Sequence, residues 1–425
     1  MSVQMLPQIA RTRWLPMVAL ILLGASSGAT GSHYLFVWAM EVRNPDPDAM
    51  MTTFMAEMSR PGARPSPDTA GFGKDFVAVF DVSPNASPFG KLVAMLPVGD
   101  AMMAHHTSYA LPADNVLYAN DWLANRTYVV DLHDPRNPRL MRTFGSAGSY
   151  GYPHSFVHLS NGNTLATFQY SNGFNRAPGG LVEFDPHGNV VKSSSAADPP
   201  LDPNIRPYSL AVVEKLNRVV TSSADMMGQQ VSDVAQVWRL SDLKLLATIV
   251  LPKSPPLGNP PENSTEPRVL SDGETVVVPT YRCGLYVVHD LATDRPSLER
   301  VYDFGYRACE VPVVVGDYLV ETMQSGHAVV SLDMRDPEHP REVSRILLKP
   351  DQLPHWLALE PGGNRLVITG YGALQTHALF ATIDRQTGAL TLDPQSIDFT
   401  RAWPDGYTGS AIPHGAVFSN DGVDQ

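Results

Sequence analysis

A short β-rich string that ends in an acidic turn recurs along the chain and constrains the fold more than any other feature. Each copy is mostly apolar, rich in residues that favour strands and followed by turn residues, which is typical of a β-strand. The copies are FVAVFD ending at Asp81, TYVVD at Asp131, LVEFD at Asp185, AQVWRL near Asp242, LYVVHD at Asp290, VVSLD at Asp333 and FATID at Asp384. Successive copies lie 43 to 57 residues apart, the period expected of four-stranded propeller blades.

A second string precedes six of these copies and reads as two apolar strands joined by a Gly, Asn or Asp turn, as in HSFVHLSNGNTLATF. It predicts the first two strands of six blades. The seventh blade is assembled from both ends of the chain: GAVFS after His414 as the inner strand, HYLFVWAM from His33, then FVAVFD and KLVAML. The sequence therefore predicts an all-β, seven-bladed β-propeller closed by N- and C-terminal strands in one blade, which leaves no free sheet edge.

The N-terminal residues indicate export. Arg11 and Arg13 precede a short apolar run that is followed by small residues up to Ser32, the pattern of a signal peptide rather than of a membrane span. We expect residues 1–32 to be a signal peptide and 33–425 a single propeller domain, with 43–74 as a long loop insertion, in a periplasmic or secreted protein.

The net charge of −12 argues against nucleic acid as a partner, because phosphate binding needs a basic surface. Cys283 and Cys309 are the two cysteines. In an exported chain they can form one disulfide or remain buried thiols. The sequence leaves these alternatives open.

The residues that start the inner strands share a position in the predicted fold, because the first strand of each propeller blade lines the central axis. After the adjacent pair at the first start, the starts follow one another at intervals of 44 to 59 residues, about one blade each. In chain order they are His105 and His106, His154, Tyr208, Glu266, Glu310, His355 and His414. Every blade thus brings a coordinating or ionisable group towards one mouth of the channel.

This arrangement predicts a metal site, since neutral imidazole is a ligand for copper, zinc, iron or nickel. Glu266 and Glu310 would complete the ligand shell or orient the imidazoles. The alternative is that polar groups at the channel mouth only hold ordered water. Met102 and Met103 precede the histidine pair and would favour Cu(I) as ligands, or simply pack in the core. Most other histidines are expected on turns or outer strands.

The order of motifs along residues 75–418 resembles that of the selenium-binding protein family, whose bacterial members include methanethiol oxidases. The resemblance is carried by FVAVFDVSPNASPFGKLVAMLPVG, AHHTSYAL, PHSFVHLSNGNTLATF, RPYSLAV, TEPRVLSDG, PHWLALEPGGNRLVITG and PHGAVFS. It implies copper held by His105, His106, His154 and His414. It also implies oxidation of methanethiol by oxygen and water to formaldehyde, hydrogen sulfide and hydrogen peroxide.

The chain departs from the family pattern at two places that bear on function. The family's selenium-associated cysteine near the N-terminus has no counterpart here, and His355 stands where the family commonly has glutamine. His355 is therefore a fifth candidate metal ligand, or alters the substrate pocket.

Three functions follow from the sequence. The first is a copper-dependent oxidase of a small thiol, in which Glu266 or Glu310 accepts the thiol proton. The second is a non-catalytic propeller that binds a metal or a partner. The third is a lactonase-like hydrolase, which would need an oxygen-rich ligand shell for a hard cation.

Overall fold

We describe the protein from a computed structural model. The described residues are 33–43, 72–98, 103–201, 204–226, 233–252, 262–370, 376–401, 403–404, 407 and 409–420. The expected signal peptide at 1–32, residues 44–71 of the expected loop and Met102 lie outside them. The described part contains no α-helix, only short 3-10 turns, and none of its helical segments has the length and hydrophobicity to cross a bilayer.

The strands form seven antiparallel sheets of four strands each, which confirms the predicted all-β propeller. The first three blades in chain order consist of β4 (Ala104–Thr107), β5 (Val116–Asp121), β6 (Arg126–Asp131) and β7 (Arg139–Phe144); β8 (Tyr150–His158), β9 (Thr164–Ser171), β10 (Gly180–Phe184) and β11 (Val190–Ser195); and β12 (Pro207–Val213), β13 (Arg218–Ser223), β14 (Val234–Arg239) and β15 (Lys244–Val250).

Blades 4 to 6 repeat the same order from the axis outwards. They consist of β16 (Arg268–Val269), β17 (Val276–Pro279), β18 (Gly284–His289) and β19 (Ser297–Asp303); β20 (Val313–Val315), β21 (Tyr318–Met323), β22 (Ala328–Asp333) and β23 (Arg341–Leu347); and β24 (Pro354–Leu359), β25 (Arg365–Gly370), β26 (His377–Ile383) and β27 (Leu390–Asp398).

Blade 7 joins the two ends of the chain, as predicted. Its order is β28 (Ser410–Phe418), β1 (Tyr34–Val42), β2 (Phe72–Asp81) and β3 (Lys91–Pro97). β1 pairs with β28 on one side, from Leu35 opposite Phe418, and with β2 on the other. β2 begins at Phe72, so three residues assigned to the long loop by sequence belong to a strand.

The hydrophobic core is divided among the blade interfaces. The described residues form seven buried clusters, each centred on the interface between two neighbouring blades. Trp356 of blade 6, for example, belongs to one cluster with Phe80 and Phe418 of blade 7. Each fully buried aromatic or aliphatic side chain contributes roughly 1.5–3 kcal/mol. Because the core is divided among the blade interfaces, a chain of this length is buried without one very large hydrophobic core.

A disulfide between Cys283 and Cys309 connects blade 4 to the segment that enters blade 5. The Cα atoms are 5.0 Å apart, 26 residues separate the two cysteines, and both are buried. The structure thus resolves the two alternatives in favour of the bridge. Cys309 directly precedes Glu310, so the bridge fixes the backbone beside a candidate site residue.

We expect the double substitution Cys283→Ala and Cys309→Ala to lower the free energy of unfolding by about 3.5 kcal/mol, because it restores the entropy of a loop of this length to the unfolded chain. Urea unfolding of the oxidised protein and of the variant measures the difference. Dithiothreitol should lower the urea midpoint of the native protein, because it reduces the disulfide, and should leave the midpoint of the variant unchanged. Equal urea midpoints would contradict the expectation.

Candidate metal centre

Five of the seven inner strands are interrupted by a β-bulge or similar irregularity where they carry the axial residues. The pairing register shifts between Ala104 and Thr107, between Pro153 and Phe156, between Pro207 and Leu210, between Pro354 and Trp356, and between Pro413 and Ala416. A regular strand points successive side chains to opposite faces, and bulges redirect them. The bulge in β4 therefore allows the adjacent residues His105 and His106 to reach the same site.

Proline precedes the axial residue on four of these strands, at Pro153, Pro207, Pro354 and Pro413. Proline has no N–H, so it is found where the hydrogen-bond ladder is already interrupted. Gly415, after His414, has a different role: a Cβ there would lie 2.8 Å from Thr107 Cγ2. The glycine lets the inner strands of blades 7 and 1 approach closely.

The five predicted histidines converge at the axis, and each is at most 2% exposed. The ring of His105 stacks on that of His106 with 4.0 Å between centroids, and lies 4.8 Å from His154 and 4.7 Å from His414. His355 lies 4.6 Å from His414 and 5.5 Å from His106. Residues up to 309 positions apart in the chain thus share one buried volume.

Two sets of three imidazoles each place their candidate ligand nitrogens within 4.8 Å of one another. One set is His105, His106 and His154, and the other is His106, His355 and His414. His106 belongs to both. It is therefore the central member of the cluster.

Burial disfavours protonation of four of these imidazoles. It lowers the pKa of His154 to about 3, and it holds the pKa of His105, His106 and His414 well below the usual 6.5, with a further contribution from the neighbouring imidazoles. A neutral imidazole has one N–H and one lone pair. The position of each proton then decides which nitrogen can bind a metal.

Hydrogen-bond acceptors lie beside the Nδ1 atoms of three histidines. The Nδ1 of His414 donates to the carbonyl oxygen of Ala104 at 3.0 Å. The Nδ1 of His355 lies 2.7 Å from Glu310 Oε2, and that of His106 lies 3.4 Å from Glu266 Oε1. The carbonyl holds the proton of His414 on Nδ1. The two carboxylates favour the same tautomer of His106 and His355 by their charge, although neither contact has hydrogen-bond geometry, and this tautomer leaves the Nε2 lone pair for a metal.

The opposing Nε2 atoms explain why a cation fits this site. His106 Nε2 lies 3.3 Å from His355 Nε2, a hydrogen bond when one of the two rings carries its proton on Nε2. When both protons are on Nδ1, two lone pairs face each other. In addition, the buried atoms His105 Nδ1 and His154 Nε2 have no hydrogen-bond partner among the described residues. A metal ion would satisfy lone pairs that otherwise repel or stay unpaired, and the all-nitrogen donor set suits a borderline transition metal better than Ca²⁺ or Mg²⁺.

Glu266 is the centre of a hydrogen-bond network behind His106. Its Oε2 accepts from Ser209 Oγ at 2.5 Å, from Arg268 Nη1 at 3.2 Å and from the Tyr109 hydroxyl. The Arg268 guanidinium also lies 3.9 Å from the Tyr109 ring centroid. Burial and the Glu266 charge raise the pKa of Tyr109, so Tyr109 remains a donor and holds the carboxylate towards His106.

We expect Glu266→Gln to weaken metal binding by about 10- to 100-fold, the usual cost of losing a partner that orients a metal ligand. The amide keeps the size of the side chain and removes the charge beside His106 Nδ1. Competition with a chromogenic chelator measures the affinity. Glu360→Gln is the control, because Glu360 is also buried but pairs with Arg365 at the far turn of blade 6. Equal affinities in the two variants would contradict the expectation.

A cavity of about 280 Å³ opens onto one side of the cluster, lined by His105, His355 and Glu310 together with Tyr208, Asp225 and Met226. Glu310 therefore faces the space that a substrate can enter. Glu266 is fully buried and does not line this cavity. The two carboxylates suggested by the sequence thus occupy different environments.

Other sequence-predicted residues have simpler roles. Tyr208 stacks against His154 with 3.8 Å between ring centroids, and Met103 packs in the core between blades 7 and 1. His158 is a correction: it lies on inner strand β8 and not on a turn or outer strand, and its burial lowers its pKa to about 4. Tyr109, Ser209 and Arg268 were missed, although the motifs AHHTSYAL, RPYSLAV and TEPRVLSDG contain them.

The fold and site together define a seven-bladed propeller with a buried histidine cluster on its axis. No family model matches the chain. Part of the chain is 33% identical, over 92 residues, to a methanethiol oxidase from Hyphomicrobium sp.. The matched stretch covers 21% of this chain and 21% of that oxidase.

The fold is similar to several solved structures. A hypothetical selenium-binding protein from Sulfolobus tokodaii has a TM-score of 0.66 at 14% identity, over 92% of this chain and 94% of that one. The periplasmic gluconolactonase of Pseudomonas aeruginosa has a TM-score of 0.58 at 13% identity, over 92% and 100%. At such identities the likeness concerns the fold alone.

Proposed function

We propose that this protein is a divergent member of the selenium-binding protein and methanethiol oxidase family and a copper-dependent oxidase of a small thiol. With methanethiol the balanced reaction is CH₃SH + O₂ + H₂O → HCHO + H₂S + H₂O₂. The observation that carries the proposal is the convergence of five buried imidazoles beside a cavity. The local similarity to a methanethiol oxidase supports the choice of chemistry.

His105, His106, His154 and His414 would hold the metal, with His355 as a fifth ligand. Copper held there would supply redox chemistry towards oxygen and affinity for a thiolate, whereas redox-inert zinc would supply only the second. Burial lowers the pKa of His105, His106, His154 and His414. Ala104, Glu266 and Glu310 lie against the Nδ1 atoms of His414, His106 and His355 and favour one orientation of each ring. Their arrangement therefore requires little reorganisation when the metal binds.

Glu310 is the proton acceptor in this proposal. It lines the cavity, and its Oε2 lies beside His355 Nδ1, so a thiol that enters towards His105 and His355 meets a carboxylate at the cavity wall. Removal of the thiol proton gives the thiolate, which is the form that binds a metal. Glu266 acts through His106 and positions it.

We further propose that the protein works in an oxidising compartment outside the cytoplasm, either the periplasm or the extracellular medium. The disulfide supports this location, since such bridges persist mainly in exported proteins. The basic and apolar N-terminal segment supports it as a signal peptide.

The test is to load the purified metal-free protein with copper, measure the metal-to-protein ratio and record hydrogen peroxide release on addition of methanethiol. The expected result is one tightly bound copper and peroxide formed in proportion to thiol consumed. A protein that binds no copper, or a copper-loaded protein inert to all small thiols, would contradict the proposal. The second outcome would favour a non-catalytic binding propeller, and lactone hydrolysis with a hard cation would favour the lactonase alternative.

A further inference from the structure

The outer rim between blades 4 and 5 holds a second group of metal-binding side chains, separate from the axial histidines. His289 is the last residue of β18, Glu299 lies on the neighbouring strand β19, and Glu338 lies in the turn between β22 and β23 of blade 5. Their candidate ligand atoms all lie within 4.8 Å of one another. One imidazole and two carboxylates, drawn from two blades, thus meet at the rim.

The register of the strands brings these groups together. Val287 packs in the core shared with blade 5, and His289, two residues further along β18, faces the same way because side chains alternate along a strand. Glu299 is directly opposite Val287 on β19, so it shares that face. Glu338 approaches from blade 5, where Asp336 Oδ1 accepts from its backbone N–H at 3.2 Å.

The distances between the groups are those of ligands around a metal ion. His289 Nε2 lies 3.5 Å from Glu299 Oε2 and 3.5 Å from Glu338 Oε2. An N–H···O hydrogen bond is shorter, at about 2.7–3.2 Å. Zinc bonds of about 2.0–2.2 Å in a tetrahedral arrangement separate neighbouring ligand atoms by about 3.3–3.6 Å. The spacing therefore fits a shared ion better than a hydrogen bond.

An ion pair with a protonated imidazole is the alternative, and it satisfies the groups poorly. The ring has a single N–H at Nε2, which cannot point at two carboxylates at once. The Nε2 atom of His289 is inaccessible to solvent and has no hydrogen-bond partner. Of the described residues, no lysine or arginine forms an ion pair with Glu299 or Glu338. A divalent cation would bind Nε2 and neutralise both carboxylates.

We propose that His289, Glu299 and Glu338 form a zinc site, the rim site, that joins blade 4 to blade 5. Three protein ligands leave the fourth position of a tetrahedral zinc site to water. The imidazole favours zinc over Ca²⁺ and Mg²⁺, which prefer oxygen ligands throughout. The rim site is independent of the proposed thiol oxidation.

The position of the rim site suits a structural role. The inner strands of blade 4 are short, with two residues in β16 and four in β17, so they supply few hydrogen bonds to the blade. Cys283 immediately precedes β18, and its disulfide fixes that end of the strand against the segment that enters blade 5. The rim site fixes the other end at His289. Strand β18 is thus tied to blade 5 at both ends.

Zinc binding by matched variants tests the proposal. His106→Ala serves as the parent protein, because the axial histidines are a second group that binds zinc. His289→Ala is added to remove the rim imidazole, and His339→Ala is added to the same parent as the control. His339 directly follows Glu338 but is 83% exposed and pairs with Asp336. Equilibrium dialysis with metal analysis gives the number of bound ions and their affinity.

We expect the His289→Ala protein to bind zinc at the rim at least about 100-fold more weakly than the control, since loss of a ligand costs more than loss of an orienting partner. Zinc should also raise the thermal unfolding temperature of the control more than that of the His289→Ala protein. Any zinc that remains at the axis is common to both proteins and does not affect the comparison.

Three results would overturn the proposal. Equal zinc affinity and stoichiometry in the two proteins would show that the rim groups bind no zinc. Equal effects of zinc on thermal unfolding would leave the three groups as an ion pair alone. Calcium that binds the control as tightly as zinc, and is lost with His289, would contradict the assigned metal. Each readout is independent of whether the protein oxidises a thiol.

Discussion

Replacement of His106 by alanine is expected to abolish tight copper binding while the propeller remains folded. His106 is shared by the two sets of converging imidazoles, so its loss breaks both. Loss of His105 or His355 leaves one set complete. We therefore expect the His106→Ala variant to lose far more affinity than His105→Ala or His355→Ala, and well beyond the roughly 10- to 100-fold cost of a lost orienting partner.

Chelator competition gives the affinity, and circular dichroism with thermal unfolding shows whether the fold persists. His158→Ala is the matched control, because His158 lies on the same inner strand as His154 and is also largely buried, but is outside both sets. Retention of full copper affinity by His106→Ala would rule out the proposed centre. Equal losses in the His106 and His158 variants would indicate a general packing defect.

The architecture was predictable because each blade repeats the same order of strands and turns at intervals of 43 to 57 residues. The third strand of every blade contains one of the seven recurring strings, from FVAVFD in β2 to FATID in β26. A strand pattern that repeats at this period is typical of a propeller, in which a closed ring of blades leaves only short, protected sheet edges. The closure was also predictable, since six blades were complete and the ends of the chain supplied the missing strands.

The histidine cluster followed from the fold, because equivalent positions in successive blades face one axis. The sequence could not indicate which imidazoles approach each other. The stacking of His105 on His106 requires the bulge in β4, and sequence periodicity alone would place adjacent residues on opposite faces. The proline before His154, His355 and His414 marks these irregular positions.

The different roles of the two carboxylates required three-dimensional information. Glu266 and Glu310 occupy equivalent places before the inner strands of blades 4 and 5. Glu266 is surrounded by Tyr109, Ser209 and Arg268, which come from three other parts of the chain. Glu310 is left at the cavity wall. Side-chain contacts across blades decide such differences, and no local pattern records them.

Acidification is expected to destabilise the metal-free protein strongly. Burial lowers the pKa of His105, His106, His154, His158 and His414. Below the unfolded-state pKa of 6.5 the unfolded chain binds more protons than the folded protein, so the free energy of unfolding falls as the pH falls. The loss begins near pH 6.5 and continues towards the folded pKa values, about 3 for His154 and about 4 for His158.

Two buried carboxyl groups act in the opposite direction. Burial raises the pKa of Asp75, with a contribution from Asp121, and it raises the pKa of Glu321. A raised carboxyl pKa means that stability is gained as the pH falls through the folded pKa. These two groups offset two of the five imidazoles at most. Each group changes the free energy of unfolding by ~1.4 kcal/mol per pH unit, so three uncompensated imidazoles lower it by ~4 kcal/mol per pH unit. This loss is comparable with the 5–15 kcal/mol that typically stabilises a folded protein.

Urea unfolding of metal-free protein at pH 7.5, 6.5 and 5.5 measures this loss. We expect little change between the first two values and a sharp fall below pH 6.5. Zinc serves as a redox-inert probe of the same imidazoles: a bound metal competes with protons for the lone pairs, so loading should shift the fall to lower pH. A His133→Ala variant should behave as the native protein, since that imidazole is 62% exposed. If the free energy of unfolding of the metal-free protein did not change with pH, the buried imidazoles with lowered pKa would be accessible to protons in the folded state. His105, His106, His154 and His414 would then not form the neutral cluster on which the proposed centre depends.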